Sequence, residues 1–195
     1  MQVAFHERRF GLKHVVDLIH ADRSLIAGRV GAVRVRSGRV DQCLISIYMP
    51  VRHSAQYKKV LCSQIVQEIC KWLDKVLSKL PARCIPIIGI DLNDRVGKHR
   101  VGHKDFSNTC DQCSTIGPFA QDREGITAHT FRHIAMKHGL AFANTYHKSH
   151  ATVYGPGYCS TIDFVLIPKT LLAEVSKCQA SIVKPCSALP RRTLT

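Results

Sequence analysis

The hydrophobic period of this chain changes within about 60 residues, and that change constrains the fold more than any other feature of the sequence. Residues 29–36 (RVGAVRVR) and 42–49 (QCLISIYM) are rich in Val and Ile and flank Ser37-Gly38-Arg39. This pattern predicts an antiparallel pair of strands joined by a short turn. Pro50 stops the second strand. Over residues 56–80 the apolar positions Cys62, Val66, Ile69, Leu73, Val76, Leu77 and Leu80 recur at three- and four-residue steps, while Lys58, Lys59, Lys71 and Lys75 fall elsewhere. That spacing predicts a long amphipathic helix, ended by Pro81. Residues 84–90 (CIPIIGI) then form a short continuous apolar run, as a fully buried strand requires.

The second half carries fewer signals. Residues 95–127 hold Gly, His, Asp and Ser with few apolar side chains, and they read as a long loop or insertion. A second helix is predicted over about residues 128–138, with Phe131, Ile134 and Ala135 on one face and Gly139 as its C-terminal stop. Strand signals return at residues 140–146 and 160–168 (STIDFVLIP). No internal repeat or low-complexity linker divides the chain. The order of elements fits a layered α/β or α+β sandwich, read as one domain over residues 1–183 with an irregular tail at 184–195.

Composition narrows the function classes. The 195 residues are 45% hydrophobic and 22% charged, enough to bury a core and unlike a disordered tail or a fibre. No stretch approaches the roughly 20 apolar residues that span a bilayer, and the N-terminus shows no secretory leader. The expectation is an intracellular chain, nuclear or cytoplasmic, with no membrane partner. Nine cysteines, an odd count, suit free thiols acting as small apolar residues better than a disulfide framework. Lys and Arg total 28 against 14 Asp and Glu, a net charge of +14, which favours polyanions such as nucleic acid, phosphorylated lipids or ribosomes.

Three polar residues stand where a core strand ends. The run IPIIGI empties into Asp91-Leu92-Asn93-Asp94, Asp163 lies between Ile162 and Phe164, and Tyr48 ends its strand just before Pro50. Charge in such places must be paired, hydrated or bound to a cation. Carboxylates held at strand ends supply hard oxygens for Mg²⁺ and a base for water, and an amide supplies a donor for phosphate. Each position also has a plainer explanation: a turn with a helix cap, an outward-facing edge residue, and a core tyrosine.

SIYMP, IIGIDLND and STIDFVLIP, in this order and at these intervals, resemble the endonuclease/exonuclease/phosphatase superfamily, and most of all the endonuclease domains of non-LTR retrotransposons. AHTFRHIAMKHGLAFANTYHKSHAT agrees, and the resemblance runs over roughly residues 3–169. It implies an α/β (α+β) four-layer sandwich of two mixed sheets flanked by helices, here incomplete, with the site at the strand ends. It implies Mg²⁺-dependent cleavage of a phosphodiester in DNA, with a reverse transcriptase as a partner in the parent element. Carried over by position, Asp91 would orient and deprotonate water and contribute to metal binding. Asn93 would donate to the scissile phosphate, Tyr48 would contact the phosphate or assist the leaving oxygen, and Asp163 would orient a catalytic histidine.

The chain also departs from the family pattern. The Asn strand and the Gln-Glu motif whose Glu holds the metal have no counterpart before QVAFHERRF, and Glu7 is misplaced to substitute. Nothing after Asp163 matches the family's Ser-Asp-His, and no histidine follows His150. Ile90 replaces the usual Gly, and the aromatic expected after Thr152 is displaced to Tyr154. These departures imply a truncated member whose activity is impaired or lost.

A second constellation offers an alternative. Cys110-x2-Cys113 is followed after 15 residues by His129-x3-His133, within the spacing of a tetrahedral Zn²⁺ site in a nucleic-acid-binding module. The usual Phe of such a finger is missing, with Gly117 in its slot. A third reading is a retroelement relic without a selected function.

Overall fold

The computed structural model describes residues 12–21, 25–51, 59–100, 115–148, 150–156 and 158–178. The elements in chain order are β1 (Val15–His20), β2 (Val30–Ser37), β3 (Val40–Tyr48), α1 (Lys59–Lys79), β4 (Ile85–Asp91), β5 (Gly97–Arg100), β6 (Gln121–Glu124), α2 (Ile126–Lys137), β7 (Leu140–Phe142), β8 (Val153–Gly155), β9 (Tyr158–Ser160) and β10 (Asp163–Pro168). Six strands form one mixed sheet in the order β1-β2-β3-β4-β10-β7, and two ribbons, β5–β6 and β8–β9, lie apart from it. The fold class is mixed α/β, as expected from the order of elements. Of the sandwich that the resemblance implies, the described residues contain this one large sheet and its helices.

The first half follows from the period of its sequence. β2 and β3 pair antiparallel along their whole length, and Gly38, at φ +56, takes the left-handed turn between them. In β3 the residues Asp41, Cys43, Ile45 and Ile47 are buried while their neighbours are not, so one face of the strand meets the core. β3 and β4 run parallel. Parallel neighbours need a long crossover, and α1 supplies it. Its apolar stripe of Ile65, Val66, Ile69, Cys70, Leu73, Val76 and Leu77 is buried in one cluster with Ile45, Ile47, Ile88 and Ile90. α2 adds Ala128, Phe131 and Ala135 to that cluster. Phe131, Phe142 and Phe164 interlock edge to face, with centroids 6.3 and 5.5 Å apart. Gly139, at φ +63, ends α2 as its sequence position predicts.

The core also contains a charge. Asp41 is 4% exposed and accepts from Arg34 Nε and Nη2 at 2.8 and 2.6 Å, with Arg83 Nε at 3.0 Å. The Arg34 hydrogen bonds hold its carboxyl well below the usual carboxylate range. Nearby thiols move the other way. Burial pushes Cys43 up to about 12 and Cys84 and Cys70 up to about 11. The cysteines among the described residues are free, and Cys43, Cys62, Cys70 and Cys84 pack as buried apolar side chains.

Two sequence expectations are corrected. Residues 95–127 are not a continuous loop: Gly97–Arg100 pairs in parallel with Gln121–Glu124, and α2 begins at Ile126. The strand residues Gln-Asp-Arg-Glu show no apolar alternation. The pairing depends on the backbone of Arg123 and Glu124 approaching Gly97 so closely that a Cβ there would overlap it. The strand expected at residues 140–146 stops at Phe142, and Ala143–Tyr146 turns into a 3₁₀ helix. Glu7, Cys110, Cys113 and the tail at 184–195 lie outside the described residues. Among the described residues no helix is long and apolar enough to cross a membrane.

Leu73 is fully buried at the centre of the α1 contact, whereas Leu18 on β1 is 60% exposed. Leu73→Ala should cost about 2–5 kcal/mol of unfolding free energy and Leu18→Ala under about 0.5 kcal/mol, measured by urea denaturation. Similar losses for both would show that α1 does not organise the core.

Candidate functional site

Because β3 and β4 run parallel, their C-terminal ends lie at the same level of the sheet. There Tyr48 is the register partner of Asp91. β10 runs the opposite way and begins at that level, so Asp163 is the partner of Asp91 on its other side. Tyr48, Asp91 and Asp163 thus form one row across three adjacent strands. Their neighbours Ile47, Ile90 and Phe164 are buried toward the helices, so alternation turns the row to the opposite face. Directly opposed antiparallel residues have Cβ atoms about 4.5–5.5 Å apart, which brings the two carboxylates within reach of a single ion or phosphate.

The row borders an open cleft of about 530 Å³ whose floor is Ser46, Gly89 and Val165 and whose wall includes Asn144 and Thr152. Gly89 keeps the floor low, since it has no side chain at the centre of the middle strand. Tyr48 is 45% exposed, and the Arg29 guanidinium lies 5.3 Å from the centre of its ring.

The loop after β4 assigns each of its residues a separate task. The Asn93 backbone N–H donates to Asp91 Oδ1 at 3.1 Å. Asn93 itself adopts φ +49, a left-handed conformation that Asn tolerates better than most residues. Its side-chain Nδ2 donates to Met49 O at 2.8 Å, tying the ends of β3 and β4 together, and Asn93 does not line the cleft. Asp94 turns away and caps α2, its Oδ2 accepting from Thr127 N at 2.9 Å and Ala128 N at 3.3 Å. The local N-cap residue is Gly125. A Cβ at that position would run into the Asp94 carboxylate.

Asp91 holds its proton more tightly than an ordinary carboxyl. Partial burial is the main cause, the Asn93 N–H opposes it, and the charge of Asp163 adds to it. This mutual repulsion is the feature a divalent cation would relieve. Among the described residues no group of three or more His, Cys, Asp or Glu side chains converges, so a hydrated Mg²⁺ at this row would have two carboxylates as protein ligands.

Asn144 and Thr152 are not among the candidate site residues that the sequence offers. Asn144 donates from Nδ2 to Asp163 O at 3.0 Å and accepts at Oδ1 from Val165 N at 3.2 Å. Its amide thus continues the β10 ladder where β7 has already ended. Thr152 Oγ1 accepts from Ile162 N at 3.0 Å and Asp163 N at 3.3 Å. The available signal was a polar residue inside the strand predicted over residues 140–146 and another ten residues before Ile162. The zinc candidates divide: His129 and His133 come together on α2 with Nε2 atoms 3.2 Å apart, while Cys110 and Cys113 fall outside the described residues.

No family model and no curated protein matches the chain. Solved structures do. The 3′–5′ exonuclease NExo from Neisseria meningitidis is 12% identical, with 82% of this chain and 60% of that one covered at a TM-score of 0.52. The 3′ phosphatase NExo from Neisseria bound to product DNA hairpin is 11% identical, with the same coverage and a TM-score of 0.50. The endonuclease domain of TRAS1, a telomere-specific non-LTR retrotransposon, is 17% identical over 80% of this chain and 57% of that one, at a TM-score of 0.47. The chain spans about three fifths of the length of the solved structures it matches. The likeness to the two NExo structures is one of fold.

Proposed function

We propose that the chain is the part of a retrotransposon-type DNA endonuclease that binds and cleaves a phosphodiester in the cleft beside Tyr48, Asp91 and Asp163. The observation that supports this reading is the single row these residues form across β3, β4 and β10. A raised pKa suits Asp91 to accept a proton from water. As that proton moves to Asp91, the water oxygen forms a bond to phosphorus and the opposite P–O bond breaks. The phenol of Tyr48 would protonate the departing oxygen. Asp91 and Asp163 would hold Mg²⁺, which when bound neutralises the carboxylate pair and the charge on the phosphate.

The excess of 14 positive charges draws an extended anion to the protein, and Arg29 beside Tyr48 adds a local cation at the row. Among the described residues no histidine lines the cleft, and in this reading Asp163 shares the cation. A reverse transcriptase encoded by the same element is the partner this reading implies.

Nicking of supercoiled plasmid DNA by the purified chain should require Mg²⁺. Asp91→Ala should lower it by about 10²-fold or more. Equal nicking by both proteins, or nicking that survives chelation, would sink the proposal.

The same carboxylate carries a stability signature. The folded state binds its proton more tightly than the unfolded state, so stability falls as pH rises through the carboxylate range, and the full penalty is present at neutral pH. Without divalent cations, Asp91→Asn should therefore raise Tm at pH 7. The gain should shrink as pH falls through the carboxylate range and be lost below about pH 3, where both states are protonated. A lower Tm for Asp91→Asn at neutral pH would contradict the repulsion described for the row.

A further inference from the structure

One cluster outside the cleft has a geometry that hydrolysis does not use. His129 and His133 stand one turn apart on α2, with their Nε2 atoms 3.2 Å apart and their ring planes at 89°. Behind them, His129 Nδ1 lies 3.0 Å from Glu124 Oε2, and Arg132 Nη2 lies 3.0 Å from the same oxygen. The Glu124 side chain is 0% exposed and that of Arg132 is 5% exposed. His133 is exposed.

This arrangement fixes where the imidazole proton sits. Arg132 is only a donor, so although its Nη2 is 3.3 Å from His129 Nδ1, the buried carboxylate is the acceptor both groups need. A neutral His129 that gives its Nδ1 proton to Glu124 has its lone pair on Nε2, the nitrogen that faces His133. A cation bound to two imidazoles at about 2.0–2.1 Å with tetrahedral angles holds the two nitrogens about 3.3 Å apart. The observed separation is within about 0.1 Å of that bite. A carboxylate hydrogen-bonded to the far nitrogen of a ligating histidine is the usual outer partner of such a ligand, fixing its tautomer and raising its basicity.

We infer that His129 and His133 form a two-imidazole site for a divalent cation of the Zn²⁺ class, with Glu124 as the outer partner of His129 and water filling the open positions. Imidazole pairs select Zn²⁺, Ni²⁺ and Cu²⁺ over Mg²⁺, so this site is chemically distinct from the carboxylate row. It does not depend on the nuclease reading. Glu124 ends β6 and His129 begins the second turn of α2, so an occupied site would clip the short β5–β6 ribbon to the helix.

Thiolates are also ligands for Zn²⁺ and the chain has nine cysteines, so the test must read the imidazoles directly. In long-range ¹H–¹⁵N spectra of the full chain, one equivalent of Zn²⁺ should shift the Nε2 resonances of His129 and His133. In competition with a chromophoric chelator, His133→Ala should bind Zn²⁺ at least tenfold more weakly. Its melting temperature without metal should be unchanged, since His133 is exposed and Ala favours helix. Lys137→Ala, one turn further along α2, should bind as the unaltered chain does. Unmoved imidazole resonances at one equivalent would overturn the inference. So would undiminished affinity in His133→Ala, because it would place the cation on thiols.

Discussion

The register between β3 and β4 is the constraint on which the rest of the structure depends. Side chains alternate along a strand, so a slip of one residue would send Tyr48 toward the helices and Ile47 into the cleft. The slip is resisted because Ile45, Ile47, Ile88 and Ile90 share one cluster with the apolar stripe of α1. The burial that stabilises the fold is therefore also what aligns the polar row. Two further ties hold the ends of the strands level: Met49 N donates to Asp91 O at 2.9 Å, and Leu92 N donates to Ile162 O at 2.8 Å. These backbone bonds let three side chains from distant parts of the sequence share one edge.

Much of this was legible in the sequence, for a definite reason. β2, β3, α1 and β4 each bury one face, and a buried face writes its period into the residues. Tyr48, Asp91 and Asp163 stood out because polar groups at the ends of apolar runs need an explanation. What could not be read was their adjacency. The partnership of Asp91 with Asp163 spans a long stretch of chain, and nothing local to either residue specifies it. β5 and β6 were missed because their pairing depends on a glycine's missing side chain rather than on apolar alternation. Asn144 was missed because its work is done by an amide standing in for backbone, a role that leaves no periodic trace. The His129–His133 spacing was visible. Glu124 behind it was not, since a carboxylate in QDREG looks solvated until the fold buries it.

Two carboxylates in the molecule are treated in opposite ways. Asp41 is enclosed by Arg34 and Arg83 and is firmly ionised. Partial burial and the charge of Asp163 make Asp91 hold its proton more tightly instead. The first arrangement satisfies a charge within the fold. The second sets two like charges side by side at the mouth of a cleft.

The cap that Asp94 provides to α2 has a consequence for how the molecule assembles. A helix usually closes its first turn with a residue next to it in sequence, and a cap contributes about 0.5–2 kcal/mol. Here the local position is glycine, and the carboxylate comes from 33 residues upstream of Thr127. The first turn of α2 therefore cannot be completed by its own segment. Its completion is tied to the chain after β4, and that closure carries the entropy of a long loop.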